Sequence, residues 1–100
     1  MLLVPNKALN LYPSVSGEKN IIVDAGEELF FSSITSSYHS YYEMHTYKLK
    51  CMYKDKEYTI SCSMYKGGSQ PKVDCIEGNL FKNESFYWKD VFAKEFPFER

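Results

Sequence analysis

At 100 residues the chain has room for one domain, and 44% hydrophobic against 25% charged residues excludes wholesale disorder. The formal net charge of -1 supplies no field to gather nucleic acid or an anionic membrane. Arg100 is the only arginine, so the planar fork that usually reads phosphate and guanine is nearly missing. No segment approaches the ~20 apolar residues needed to span a bilayer, and the opening MLLVPNKALN lacks the basic lead and apolar stretch of a signal peptide.

In chain order, MLLV is followed by Ala8 to Tyr12, where Leu9 and Leu11 alternate around Asn10 between Pro5 and Pro13. That pattern predicts a short edge strand, and PSVSGEKN after it predicts an irregular loop. Asn20 to Val23 is a β-branched run cut by Asp24-Ala25-Gly26, a tight turn feeding a strand over Glu27 to Thr35. Ser32 to Ser40 holds five serines and Thr35, which reads as a strand end plus a loop.

Tyr47 to Tyr65, YKLKCMYKDKEYTISCSMY, reads as one β-hairpin. Tyr47, Leu49, Cys51 and Tyr53 alternate with Lys48, Lys50, Met52 and Lys54, and Tyr58, Ile60, Cys62 and Met64 alternate with Thr59, Ser61 and Ser63. A period of two sends the apolar set to one face. Asp55-Lys56 is the predicted turn, because Asp tolerates the left-handed conformation. It pairs Tyr53 with Tyr58, Cys51 with Ile60 and Leu49 with Cys62. The two thiols are then diagonal neighbours at about 7 Å, too far for an unstrained disulfide. A turn at Lys56-Glu57 would set them opposite, but that is a poor turn pair. With no C-x-x-C and no zinc-type spacing, three free thiols are expected, which points to a reduced compartment.

Lys66-Gly67-Gly68-Ser69-Gln70-Pro71 ends the hairpin, Lys72 to Ile76 predicts a last strand, and Glu77-Gly78-Asn79 predicts a turn. Trp88, Val91, Phe92 and Phe96 then form one helical stripe. The spacing predicts a helix over 86–96, capped by Ser85 and stopped by Pro97. The fold class is therefore all-β, one domain over 1–100, with a small antiparallel barrel over 8–76 and one C-terminal helix packed on it.

Aromatics supply 17% of the chain, with nine tyrosines, too many rings for so small a core. Tyr38, His39, Tyr41, Tyr42 and His45 form the densest cluster, and tyrosine gives rigid, amphipathic contact area at low entropic cost. His39 and His45 lack a third ligand for a metal, and Cys51 or Cys62 as a nucleophile would need a thiolate on an apolar face. The serine run has no nucleophile elbow and Gly67-Gly68 is not a phosphate loop. Lys48, Lys50 and Lys54 read as the solvated face of a strand rather than a nucleic-acid stripe. Asn83-Glu84-Ser85 has the form of a glycosylation acceptor, relevant only in a secretory setting.

The order of elements resembles the bacterial SH3-like (SH3b) barrel over residues 8–65. Ala8-Leu9-Asn10-Leu11-Tyr12 with Pro13-Ser14 is similar to that family's opening strand and first long loop. Ile21 to Leu29 (IIVDAGEEL) resembles its next strand, glycine turn and following strand, and Tyr42 to Tyr65 its closing hairpin, with Tyr58 after the turn. The chain departs from the pattern at Tyr12, where arginine is usual, at Glu57, where glycine is expected, and in a longer loop around Ser36 to Ser40. The resemblance implies a small barrel of five to six antiparallel strands that binds peptides or cell-wall peptidoglycan.

The sequence thus predicts a non-catalytic protein- or peptide-binding module acting through Tyr12, Tyr38, Tyr41, Tyr42 and Tyr65, with no cofactor or metal. Its groove would lie where the first loop meets the serine-rich loop. A small inhibitor blocking a larger enzyme is an alternative. A single-stranded nucleic-acid binder would stack bases on the same tyrosines with the lysines on phosphate. A small hydrolase would need a titratable constellation that the sequence does not offer; loss of an activity on His39→Ala would revive that class.

Overall fold

The alternation of the central ribbon becomes two long paired strands, which the computed structural model carries as β5 (Met44–Tyr53) and β6 (Lys56–Tyr65). The structure describes residues 1–77 and 82–97. Before the ribbon run β1 (Leu2–Leu3), β2 (Ala8–Pro13), β3 (Ile21–Val23) and β4 (Leu29–His39). After it come β7 (Lys72–Glu77), β8 (Lys82–Tyr87) and α1 (Trp88–Phe92), the one helix among the described residues. All strand pairings are antiparallel, and the fold is all-β with one C-terminal helix, as the sequence predicts.

The sheet runs β1-β4-β5-β6-β2-β7-β8, with β3 on the far side of β2, and curls into a half-barrel. At its centre three strands meet in a triangle. β6 pairs with β2 through Tyr58 and Thr59 and with β7 through Cys62 and Ser63, while β7 reaches back to β2 through Cys75 and Ile76. β2 is therefore an interior strand, not the edge strand that its flanking prolines suggested. Leu9 and Leu11 have core to bury on one face, and Leu9 is paired on both sides, with Val23 of β3 and Cys75 of β7. Gly26 takes the turn expected of Asp24-Ala25-Gly26 at φ 90°, donating its N–H to Pro5 O at 2.7 Å.

The concave face holds Tyr47, Leu49, Cys51, Tyr58, Ile60, Cys62 and Met64 from the hairpin, with Leu3, Val23, Leu29, Val73 and Cys75 from the other strands. No polar or charged residue is buried among the described residues. The hairpin's faces are those predicted, but the turn is Lys54–Asp55, with φ 50° and 65°. Tyr53 opposes Lys56, Cys51 opposes Tyr58, Leu49 opposes Ile60 and Tyr47 opposes Cys62. A type I′ turn needs positive φ at both central positions, so one Asp fits either place and cannot choose between the registers. A two-residue slide leaves each side chain on its own face.

Ser32 to Ser40 is not a loop. β4 continues through it to His39, and the turn is confined to residues 40–43. The hydroxyl-rich composition suggested irregular chain, but β5 offers a full-length template whose amides need partners, and Ser33, Thr35 and Ser37 face Lys50, Lys48 and Thr46 across it.

The helix is shorter than its stripe. Residues up to Tyr87 complete β8, where Val73 opposes Phe86 and Asp74 opposes Ser85. Ser85 Oγ therefore donates to Asp74 Oδ1 at 2.7 Å instead of capping, and Tyr87 stands at the N-cap with no side-chain bond. Ala93 in the left-handed region (φ 56°) closes α1. All four stripe residues are nevertheless buried, Phe96 reaching the core from a loop whose N–H donates to Gln70 Oε1 at 2.9 Å. The turn predicted at Glu77-Gly78-Asn79 lies mostly outside the described residues.

Candidate functional site

Two ends of the β5–β6 ribbon carry different chemistry. At the Lys54–Asp55 end, Tyr12 of β2 opposes Thr59 and is 39% exposed. It lines a shallow groove of 400 Å³ on the triangle between β6, β2 and β7, with Lys48, Thr59, Ser61 and Asp74. Ser14 N–H to Glu57 O (3.2 Å) and Lys56 Nζ to Glu18 Oε1 (3.7 Å) tie the first loop to this end.

The opposite end gathers the other four tyrosines. Tyr38, the last but one residue of β4, lies opposite His45, their rings 4.7 Å apart. Tyr41 and Tyr42 occupy the 40–43 turn edge to face at 5.0 Å, and Tyr65 opposes Met44. Lys66 N–H donates to Glu43 O at 2.7 Å and pins this turn against the end of β6. Tyr41, Tyr42 and Tyr65 are 88%, 63% and 71% exposed. Between Thr59 and Tyr65 lie six steps of strand, about 20 Å at ~3.3 Å each, so Tyr12 stands apart from the other four. The first loop and the serine-rich stretch, expected to meet in a groove, are not neighbours: the stretch is strand β4, and β5 and β6 lie between it and β2 in the sheet.

Beside Tyr65 a second concavity of 430 Å³ is lined by Ser63, Met64, Gly67, Gln70, Lys72 and Tyr87, among others. Gly68 lies close against its wall: a Cβ there would stand 2.8 Å from Met64 Cγ and 3.0 Å from Tyr65 O. Lys72 Nζ sits 5.1 Å from the centroid of the half-exposed Tyr87 ring. The sequence reading missed this concavity. Its one signal was Gly67-Gly68 after an aromatic strand end; Tyr87 was hidden in the predicted helix.

From Tyr38 inward the rings form a continuous relay. His45 stacks on Tyr47 at 6.3 Å, Tyr47 touches Phe96 at 5.0 Å, and Trp88 meets Phe96 at 5.0 Å and Phe92 at 4.2 Å. Everything past His45 is buried, so this aromatic cluster is core.

The three cysteines are buried thiols without disulfides. Burial pushes Cys51 up to about 12, and pushes Cys62 up further, with Cys51, Asp74 and Cys75 adding to the rise. Neither thiol is disposed to ionise as a nucleophile must. No group of three His, Cys, Asp or Glu side chains that could hold a metal forms among the described residues. Lys50 pairs with Glu57 at 3.7 Å and Lys54 lies 5.2 Å from the Tyr53 centroid. No described helix is long and apolar enough to cross a membrane.

No protein-family model matches the chain, and neither a curated protein nor a solved structure matches it. What the chain does must be argued from its own surface.

Proposed function

We propose that this is a non-catalytic protein- or peptide-binding module whose contact surface is the end carrying Tyr38, Tyr41, Tyr42 and Tyr65. The observation that carries this reading is the exposure of Tyr41, Tyr42 and Tyr65 beside the concavity floored by Gly67 and Gly68. Large rings kept in water at one end of a small sheet are the residue type that anchors interfaces. The concavity offers a seat for a side chain next to them. Tyr12, at the other end, would serve a separate contact or none. An extended peptide is the preferred partner, cell-wall peptides included on the resemblance of residues 8–65 to SH3b barrels. Blocking a larger enzyme would be one use of the same surface.

The test is selection of a random displayed-peptide library on the immobilised protein, followed by titration of the enriched peptides. Tyr65→Ala is expected to weaken an enriched peptide by about 30-fold (~2 kcal/mol), as for a typical anchor residue. Tyr12→Ala is expected to leave binding unchanged. Peptides that bind Tyr41→Ala/Tyr42→Ala/Tyr65→Ala as tightly as the parent chain would refute the assignment. So would binding that collapses with salt and is competed by oligonucleotide.

A further inference from the structure

β4 is bonded by β5 along its length, but on its other side only at its start, where β1 meets Leu29 and Phe30. From Ser32 to His39 that outer edge has no strand beside it among the described residues. Open edges are normally blunted by charge, proline or brevity. This one reads Ser-Ser-Ile-Thr-Ser-Ser-Tyr-His, with no acidic residue, lysine, arginine or proline. The far edge of the sheet, β8, carries the exposed Glu84 instead.

The ribbon's turn fixes which amides face that edge. In a two-residue hairpin the pair flanking the turn, here Tyr53 and Lys56, exchanges both of its hydrogen bonds. Odd-numbered residues of β5 therefore bond to β6, and even-numbered ones to β4. The even ones, Lys50, Lys48 and Thr46, oppose Ser33, Thr35 and Ser37. It follows that Ile34, Ser36 and Tyr38 turn their amides outward. The same parity emerges from the other direction. Phe31 N–H bonds outward to Met1 O at 2.9 Å, and the bulge between Phe31 and Ser33 shifts the alternation by one.

We propose that a second copy of this chain occupies the edge, β4 antiparallel to β4 about a two-fold axis at Ser36. This register sets every outward residue against another: Ile34 against Tyr38 of the second copy, Ser36 against Ser36, and Tyr38 against Ile34. Each pair exchanges two backbone bonds. The side chains of these residues lie on the concave side, where Ile34 packs against the core and the Tyr38 ring lies tilted against that of His45. The seam thus places a branched aliphatic beside an aromatic ring twice, a favourable cross-strand pair. On the convex side Thr35 meets Ser37. The stretch carries no net charge to repel its own copy. Its length between β1 and the 40–43 turn is matched by the same stretch running in reverse. A self-complementary patch of this kind is what a closed two-fold dimer requires. The proposal goes beyond peptide recognition and does not depend on it.

Sedimentation equilibrium from micromolar to millimolar protein is expected to show the mass rising from 11.7 kDa toward twice that value. In amide exchange followed by NMR, Ile34, Ser36 and Tyr38 should slow by about tenfold or more on concentration, while Ser33, Thr35 and Ser37 are protected throughout. Ser36→Lys sets two ammoniums at the axis and should return the chain to a monomer with unchanged circular dichroism. Ser36→Cys should oxidise to a covalent dimer, because paired Cα atoms about 5.5 Å apart suit a disulfide and the native thiols are buried. A monomer at millimolar concentration, a dimer indifferent to Ser36→Lys, or a dimer that Ser36→Cys fails to cross-link would each overturn the proposal. Tyr65→Ala, which should weaken peptide binding by about 30-fold, should leave the mass unchanged, so the two readings can fail separately.

Discussion

Burial raises the Cys51 thiol from its ordinary 9.0 to about 12 and the Cys62 thiol further, and both make stability depend on pH. The folded chain keeps a proton that the unfolded chain releases, so the Cys51 contribution is intact below pH 9 and is lost as pH climbs toward 12. The slope per thiol is ~1.4 kcal/mol per pH unit inside that window, less whatever the fold relaxes. Urea unfolding at pH 8 and 10 should show this loss, and Cys51→Ala should reduce it by the share of one thiol; equal slopes in parent and variant would remove Cys51 as a cause. A disulfide-exchange reagent should find no reactive thiol in the native chain and three in urea. Gly68 makes a second residue-scale case. Adding a methyl there pushes on Met64 and on the Tyr65 carbonyl, so Gly68→Ala should cost about 1 kcal/mol or more. It should also weaken any peptide seated beside Tyr65, whereas Gly67, at φ 85°, resists substitution through its backbone rather than through contact.

Among the elements, the hairpin shows where sequence pattern stops being sufficient. Alternation of Tyr47 to Tyr53 against Tyr58 to Met64 settles which side chains go inward, because faces survive a two-residue slide. It leaves the register to the turn, and there Asp55 suits two neighbouring placements equally. Lys54 accepts φ 50°, a conformation that costs a non-glycine residue about 1 kcal/mol. Replacing Lys54→Asn together with Asp55→Gly should recover ~1 kcal/mol, read as a rise in the urea midpoint. A fall would favour a turn at Asp55–Lys56, which places the glycine first and the asparagine outside. β4 and β8 illustrate a different limit. Serine-rich and aromatic-rich stretches have no strong preference of their own, and each became strand because a neighbour, β5 or β7, presented unpaired amides. Tertiary pairing is invisible to a local window. The tyrosine end was partly legible, since Tyr38, Tyr41 and Tyr42 lie close in the chain. That Tyr65 would join them and Tyr12 would not depended on which end of the ribbon each occupies.

At the scale of the whole molecule, a curled sheet buries its concave face only if something closes the end left open, and here α1 and the loop after it do so. Trp88, Val91, Phe92 and Phe96 are almost wholly buried, and they join the sheet through Tyr47 and the N–H of Trp88, which donates to Pro71 O at 2.8 Å. The five-residue helix could not persist alone, being far shorter than the ~12 residues at which isolated helices become even marginal in water. It exists because its aromatic face completes the core, and the core is complete because it exists. The sheet and its cap should therefore unfold together. Trp88 is the chain's only tryptophan, so its fluorescence reports the cap, while far-ultraviolet circular dichroism reports the strands. The two signals should share one midpoint and one slope in urea. Trp88→Ala removes the largest buried side chain and should cost about 3–5 kcal/mol, a large share of the 5–15 kcal/mol that holds a domain of this size. A fluorescence transition preceding the loss of strand signal would mean that the half-barrel stands without its cap, and the concave face would then have to be covered by some other means.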